Sequence, residues 1–309
     1  MGAHVEFATT RLPSVLPIYL RTLRPRSGAG KIRSGAQLPN IATSWRGARF
    51  DEQHVARYRE LCQLPAAAAG SSVPILYPHT FLGPLHLDML THEAFPLGLI
   101  GSVHLRNHII QHKPMRADEA FDVRMSIDGG RRRPQGVEID LSTTLEVDGA
   151  LAWESVSTFL VRQKAADAAD VEPESPRAAS AANIGCETHA RALGAFAIPG
   201  NTGKAFGLLT RDINPIHTSF VLAKLLGFER DLVHGMWGLG RALSFFGSVD
   251  MARPVRLDCA FKGPMYMERD VRILQAGEAF EMYSGTNPRP SIVGRVANIG
   301  GGGDPRARL

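Results

Sequence analysis

Cysteine is scarce: Cys62, Cys186 and Cys259 are the only three in 309 residues. An odd number at such wide spacing makes no disulfide framework and no CxxC metal pair, so a reducing cytoplasm is the expected location. Long apolar runs are missing too, none approaching the roughly 18 residues a membrane helix needs, so no membrane span is expected. The opening stretch has only Val15–Leu20, interrupted by Pro17, which is too little for a secretory leader, and Glu6 stands where a myristoylation signal needs Ser or Thr. No GxGxxG follows a strand and no P-loop occurs, and the closing IGGGGDP run reads as a flexible tail instead of a phosphate cradle. Neither a flavin, a nicotinamide nor a metal is expected as a cofactor.

What is present is ordinary globular material, with 44% hydrophobic and 21% charged residues. The length allows one large core or two smaller ones. The net charge of +5 is mild. It suits an acidic partner without indicating nucleic acid. Much of it sits toward the ends, at Arg21, Arg24, Arg26, Lys31 and Arg33, then Arg289, Arg295, Arg306 and Arg308. The plain reading is a solvated basic surface with frayed tails; the functional alternative is a landing surface for phosphates.

Residues 164–182 differ from their surroundings. They are rich in Ala, Asp, Glu, Ser and Pro, with Val171 the one large apolar side chain, and cannot bury enough surface to offset ordering entropy. They read as a linker between an N-terminal unit, 1–163, and a C-terminal unit, 183–309. In the first unit, Val137, Ile139, Leu141, Leu145 and Val147 alternate with polar residues, the period of a half-buried strand. Asp148-Gly149 offers a tight turn into a second strand. Phe121, Val123, Met125 and Ile127, and the segment VHLRNHI from Val103, alternate likewise, so an antiparallel meander is expected. Before it, 83–97 has the spacing of one helix, with Pro84 in its first turn and Pro96 at its end.

The second unit repeats this order. A helix over 234–247 carries Met236, Leu239, Leu243 and Phe246 on one side, and strands are expected around Val255–Phe261, 271–276, 278–284 and 291–299. One helix against an antiparallel sheet, occurring twice, is an α+β duplication with two sheets pairing side by side.

The informative segment is TRDINPIHTSFVLAKLLGF, Thr210–Phe228. Asn214 suits an N-cap, Pro215 the first helical position and Gly227 a C-terminal stop, so one helix is expected, with Phe220, Val221, Leu225 and Leu222 as its buried stripe. His217 then lies in the first turn, where the helix dipole disfavours imidazolium. Asp212 lies just before the cap, and a carboxylate and a neutral imidazole at one point can hold and polarise a water. Gly235, in LVHGMWG, falls at the start of the long helix. Its N–H has no helical partner, which suits a developing oxyanion. Each residue alone also has a bland reading: Asp212 as a cap, His217 as a structural histidine, Gly235 as a close-packing position.

DINPIH, then FVLAKLLGF, then LVHGMW, resembles the motif of MaoC-like (R)-specific enoyl-CoA hydratases and 3-hydroxyacyl-thioester dehydratases. The match is clear over about Thr202–Met267, and RPVRLDCAFKGPMY resembles the strand after the family's central helix. The resemblance implies a double hotdog, two antiparallel sheets each wrapped around a helix. It implies an acyl-CoA or acyl carrier protein thioester as substrate. Asp212 and His217 would bind the catalytic water or substrate hydroxyl, Asn214 would brace them, and the Gly235 N–H would bind the thioester carbonyl. The first unit has the helical lead-in RFDEQHVARYRELCQLP but then PAAAAGSSVP in place of the motif. It would be catalytically silent, supplying the pairing sheet and part of the acyl pocket. His86, His92, His104, His108 and His112 there read as core or surface histidines. Homodimer formation is left open. Three rival readings stand beside this one: a hotdog thioesterase, a catalytically inactive acyl-binding subunit, and a metal-dependent oxygenase using Asp212, His217 and His234, the last requiring His234 to swing inward.

Overall fold

The computed structural model of the chain describes residues 4–22, 38–66, 70–99, 101–162, 190–212 and 214–299. The expected linker 164–182, Cys186 and the glycine-rich run beyond 299 lie outside these residues.

Among the described residues, eleven strands form one continuous sheet. They are β1 His4–Thr9, β2 Asn40–Ala48, β3 Val103–Gln111, β4 Phe121–Arg133, β5 Gly136–Val147, β6 Ala150–Arg162, β7 Arg191–Ala197, β8 Val255–Phe261, β9 Asp270–Ala276, β10 Ala279–Ser284 and β11 Ile292–Asn298. Their order is β1-β2-β4-β5-β6-β3-β8-β11-β10-β9-β7. The helices are α1 Val15–Thr22, α2 Glu52–Leu61, α3 Tyr77–Phe81, α4 Gly83–Leu90, α5 Thr202–Thr210, α6 Pro215–Thr218, α7 Phe220–Leu225 and α8 Gly235–Ala242.

The apolar side of the expected alternation is found: Ile139, Leu141 and Leu145 of β5 are fully buried, as are Val123 and Ile127 of β4. But β5 is not half-buried along its start, where Glu138 and Asp140 on the other side are buried too, paired with Arg106 and Arg131. Asp148 and Gly149 turn β5 into β6 with φ of 53° and 75°, the left-handed pair a two-residue hairpin requires. The meander, however, stops at three strands. β3 does not pair with β4; it lies beyond β6, antiparallel to it, and its other edge pairs with β8. That position makes β3 the seam between the halves. There His108 Nδ1 lies 2.8 Å from Asp258 Oδ1, and Arg256 Nε donates to Asp258 Oδ2 at 2.8 Å. Burial pushes the Asp258 carboxyl up, and His108 and Arg256 more than reverse it.

Other departures have local causes. The helix expected over 83–97 ends at Leu90, where Thr91 turns its hydroxyl back onto the Leu87 carbonyl. Strands β1, β2 and β7 were not anticipated; β1 joins β2 in parallel, unlike every other pairing in the sheet. One large apolar core among the described residues runs through both halves, with a small separate cluster of Ala260 and Val293. Trp237 of α8 donates its indole N–H to the Leu61 carbonyl of α2 at 2.8 Å, tying the second central helix to the first half. No helix among the described residues is long and apolar enough to cross a membrane.

Candidate active site

Helix α5 carries glycine at both positions that face the reactive loop. A Cβ on Gly207 would lie 2.6 Å from the Asp212 carbonyl oxygen, and one on Gly203 would lie 2.5 Å from that of His217 and 2.8 Å from that of Leu232. The helix can approach the loop this closely only without side chains there. It ends at Arg211, whose φ of +58° is the left-handed region that non-glycine residues enter at a cost. The reversal at Arg211 delivers Asp212 to the site.

Asn214 caps the next turn as expected, its Oδ1 accepting from Ile216 N at 3.3 Å, with Pro215 at the first helical position. The single helix expected to follow is instead two. Ser219 adopts an extended conformation (φ −144°, ψ 115°), ending α6 after one turn and capping α7 through its hydroxyl. Gly227, at φ +89°, stops α7, and Phe228 N bonds back to Ala223 O at 3.1 Å. The expected buried stripe is a correction: Phe220, Val221, Leu222 and Leu225 are exposed, and only Ala223 of α7 is buried. The break at Ser219 rotates α7 so that its apolar side faces away from the core.

The Asp212 carboxylate is held from several sides. Oδ1 accepts from Asn214 N at 3.2 Å and from the Tyr19 hydroxyl of α1 at 3.3 Å. Oδ2 lies 3.5 Å from His234 Nε2. His217 lies buried against it, its Nδ1 2.8 Å from the Leu232 carbonyl. That carbonyl can only accept, so Nδ1 carries the proton and Nε2 is left free as an acceptor. The His217 and His234 rings stack with centroids 3.7 Å apart. Gly235 opens α8 directly after His234, and its N–H has no hydrogen-bond partner among the described residues. Gly235 also has a packing reason: a Cβ there would sit 2.5 Å from the Phe261 ring.

Burial pushes the Asp212 carboxyl up, but the facing His234, then His217 and the Asn214 N–H, hold it well below the usual carboxylate range. His217 is pushed down to about 3, first by burial and then by His234, against the opposing pull of Asp212. The imidazole is thus neutral for a different reason from the one expected, since α6 is a single turn with little dipole of its own. At neutral pH the site presents an ionised carboxylate and a neutral imidazole, both proton acceptors.

His234 does point inward, which the metal reading had required. Asp212, His217 and His234 each offer a ligand atom, all within 4.8 Å of one another, a set that could hold a divalent cation. Sequence reasoning passed over Tyr19, whose helix lies about 190 residues from Asp212 in the chain, and the Gly203/Gly207 pair, for which the i,i+4 glycine spacing before the motif was the available signal. The Asp212 side chain keeps 38% exposure, against 10% for that of His234. Two surface hollows, one along β2, β4 and β5 and one between α1 and α4, include neither Asp212, His217 nor Gly235.

No family model matches the chain. A protein of Mycobacterium tuberculosis, 3-hydroxyacyl-thioester dehydratase X, is 30% identical over 211 residues, covering 67% of this chain and 70% of that protein. The crystal structure of HtdX from the same organism superposes with a TM-score of 0.68 at 23% identity, over 84% of this chain and 100% of that one. A MaoC-like dehydratase from Phytophthora capsici follows at 0.63 and 14% identity, over 84% and 96%. The shared architecture is the double hotdog expected from the sequence. The chain belongs to the MaoC-like 3-hydroxyacyl-thioester dehydratases, a family of hydro-lyases.

Proposed function

We propose that this chain adds water to a trans-2-enoyl thioester and removes it from an (R)-3-hydroxyacyl thioester, using Asp212 and His217 as proton acceptors and the Gly235 N–H as oxyanion donor. The observation that carries the reading is the meeting of the Asp212 carboxylate and the buried His217 imidazole, with ligand atoms within 4.8 Å, while the amide after His234 has no hydrogen-bond partner among the described residues. In dehydration the Cα proton passes to the acceptor pair, Cα–Cβ gains its double bond, and the Cβ–O bond breaks. The departing oxygen takes the same proton and leaves as water. Charge that builds on the thioester oxygen in between is met by the Gly235 N–H; one such donor typically contributes about 3 kcal/mol. Asn214 serves the pair through its backbone, donating to Asp212 and accepting from His217 N at 3.0 Å.

The C-terminal unit, 183–309, carries this chemistry, and the N-terminal unit, 1–163, supplies the pairing sheet and part of the acyl pocket. Coenzyme A and acyl carrier protein both present phosphate, which the excess of five positive charges suits. Cys62 and Cys259 are free thiols, in keeping with a reducing cytoplasm. Incubation with crotonyl-CoA tests the reading: loss of the enoyl absorbance without release of free thiol is expected, whereas thiol release would identify a thioesterase. Stoichiometric metal in the purified protein, with activity lost on its removal, would favour the metal reading instead.

A further inference from the structure

Histidines elsewhere in the described residues that are buried or half-buried mostly have an evident partner. His108 meets Asp258 and His112 meets Glu154, both at 2.8 Å; His54 meets Tyr77 and Leu209 at 2.9 Å; His79 meets Ser157 at 3.3 Å. His234 does not. Only 9% of the residue is exposed, and neither ring nitrogen has a hydrogen-bond partner. An imidazole desolvated on both nitrogens is costly, and a phenylalanine or leucine would fill the slot without that cost. The ring is also clamped. His217 stacks on it at 3.7 Å, Phe206 packs against it at 5.3 Å, and its Cε1 edge lies 3.5 Å from where a Cβ on Gly207 would be.

We propose that His234 is a positioning residue for Asp212, its Nε2–H donating to the Asp212 Oδ2 oxygen in the substrate-bound site while its ring face fixes His217. The proposal rests on the hydratase reading above. Oδ1 of Asp212 is already occupied by Asn214 N and Tyr19, so Oδ2 is the oxygen whose direction is otherwise unset. The 3.5 Å gap from Nε2 to Oδ2 is longer than a formed hydrogen bond. Catalytic hydrogen bonds are commonly long in the free enzyme and tighten in the complex. Because His234 immediately precedes Gly235, the same short stretch of backbone would set the carboxylate, the imidazole and the oxyanion donor together. That linkage gives the His-Gly pair a use beyond starting a helix.

The test compares His234→Gln with His234→Asn in the full chain, by steady-state hydration of crotonyl-CoA and by thermal melting. A glutamine amide nitrogen reaches about where Nε2 lies, whereas an asparagine amide stops near Nδ1. Both are polar and similar in bulk, so packing alone does not separate them. The Gln variant is expected to keep kcat within roughly fivefold of wild type. The Asn variant should lose at least about twentyfold in kcat with KM little changed, at a matching melting temperature. Equal kcat in the two variants, whether both high or both low, overturns the proposal while an active wild type upholds the hydratase reading. A wild type without turnover overturns that reading, and this proposal with it.

Discussion

The two halves each bury a histidine at the start of the helical run their sheet wraps, and they treat it differently. In the first half His79 lies in α3 among neutral groups, with Ser157 Oγ at 3.3 Å and Asn107 Nδ2 at 3.4 Å, and burial pushes it down to about 4. In the second half His234 immediately precedes α8, makes no capping bond, and faces the Asp212 carboxylate. The lead-in helices correspond as well, α2 packing beside α5, with His54 Nε2 2.9 Å from the Leu209 carbonyl. What separates the halves is the segment between lead-in and central helix. After α5 it turns sharply at Arg211 and carries an acid and a base; after α2 it carries neither. On the proposed reading, one scaffold serves as a support in one half and a reaction site in the other.

Breaking that asymmetry should have its largest effect at the pair itself. Asp212→Asn or His217→Ala is expected to lower turnover at least about a hundredfold while the circular dichroism melt stays near wild type. The matching change in the first half, His79→Gln, should leave turnover within about threefold, and a loss equal to that of His217→Ala would mean both halves take part. A smaller effect is expected where α5 supports the loop. Gly207→Ala must push away the Asp212 carbonyl, 2.6 Å from the added carbon, and should reduce kcat about tenfold and cost about 1–3 kcal/mol of stability. An unchanged kcat would show that this close approach does not set the carboxylate.

The buried neutral histidines make a further prediction on pH. His79 is pushed to about 4 and His217 to about 3, against an ordinary value of 6.5, and His86 and His104 are also held low, chiefly by burial. An unfolded chain therefore takes up protons below pH 6.5 that the folded chain refuses until near pH 4. Stability should be full above about pH 7 and fall as pH drops from 6.5 toward 4, by up to ~1.4 kcal/mol per pH unit for each such group. The urea midpoint measured from pH 7.5 to 5 checks this, and a flat midpoint would show that these histidines protonate in the folded protein. The smallest effect is at the link between halves: Trp237→Phe removes the bond to Leu61 O and should cost about 1 kcal/mol, read as a lower urea midpoint with little change in kcat.

Much of this was legible in the chain itself. Strands β3, β4, β5 and β8 were marked by alternating apolar residues, β6, β9, β10 and β11 were expected after them, and Asn214-Pro215 marked the cap that places His217. Strand β7 was not, because Arg191–Ala197 carries alanine and glycine where a strand signal needs branched or aromatic side chains. The neighbour of β3 could not be read either, since pairing order depends on the whole sheet and not on local alternation. Helix α7 misled for a physical reason. Four large apolar residues in a short stretch look like a core stripe, and the extended backbone at Ser219 accompanies their turn outward. The direction of the His234 ring was set by packing on His217 and Phe206, contacts between segments that no spacing in the sequence encodes.

The most direct test is a crystal structure of the protein with an (R)-3-hydroxyacyl thioester held by the slow Asp212→Asn variant. The account predicts the thioester oxygen on the Gly235 N–H and the 3-hydroxyl beside residue 212 and His217 Nε2. A ligand whose reacting carbons lie in the first half, or whose carbonyl points away from Gly235, would contradict it.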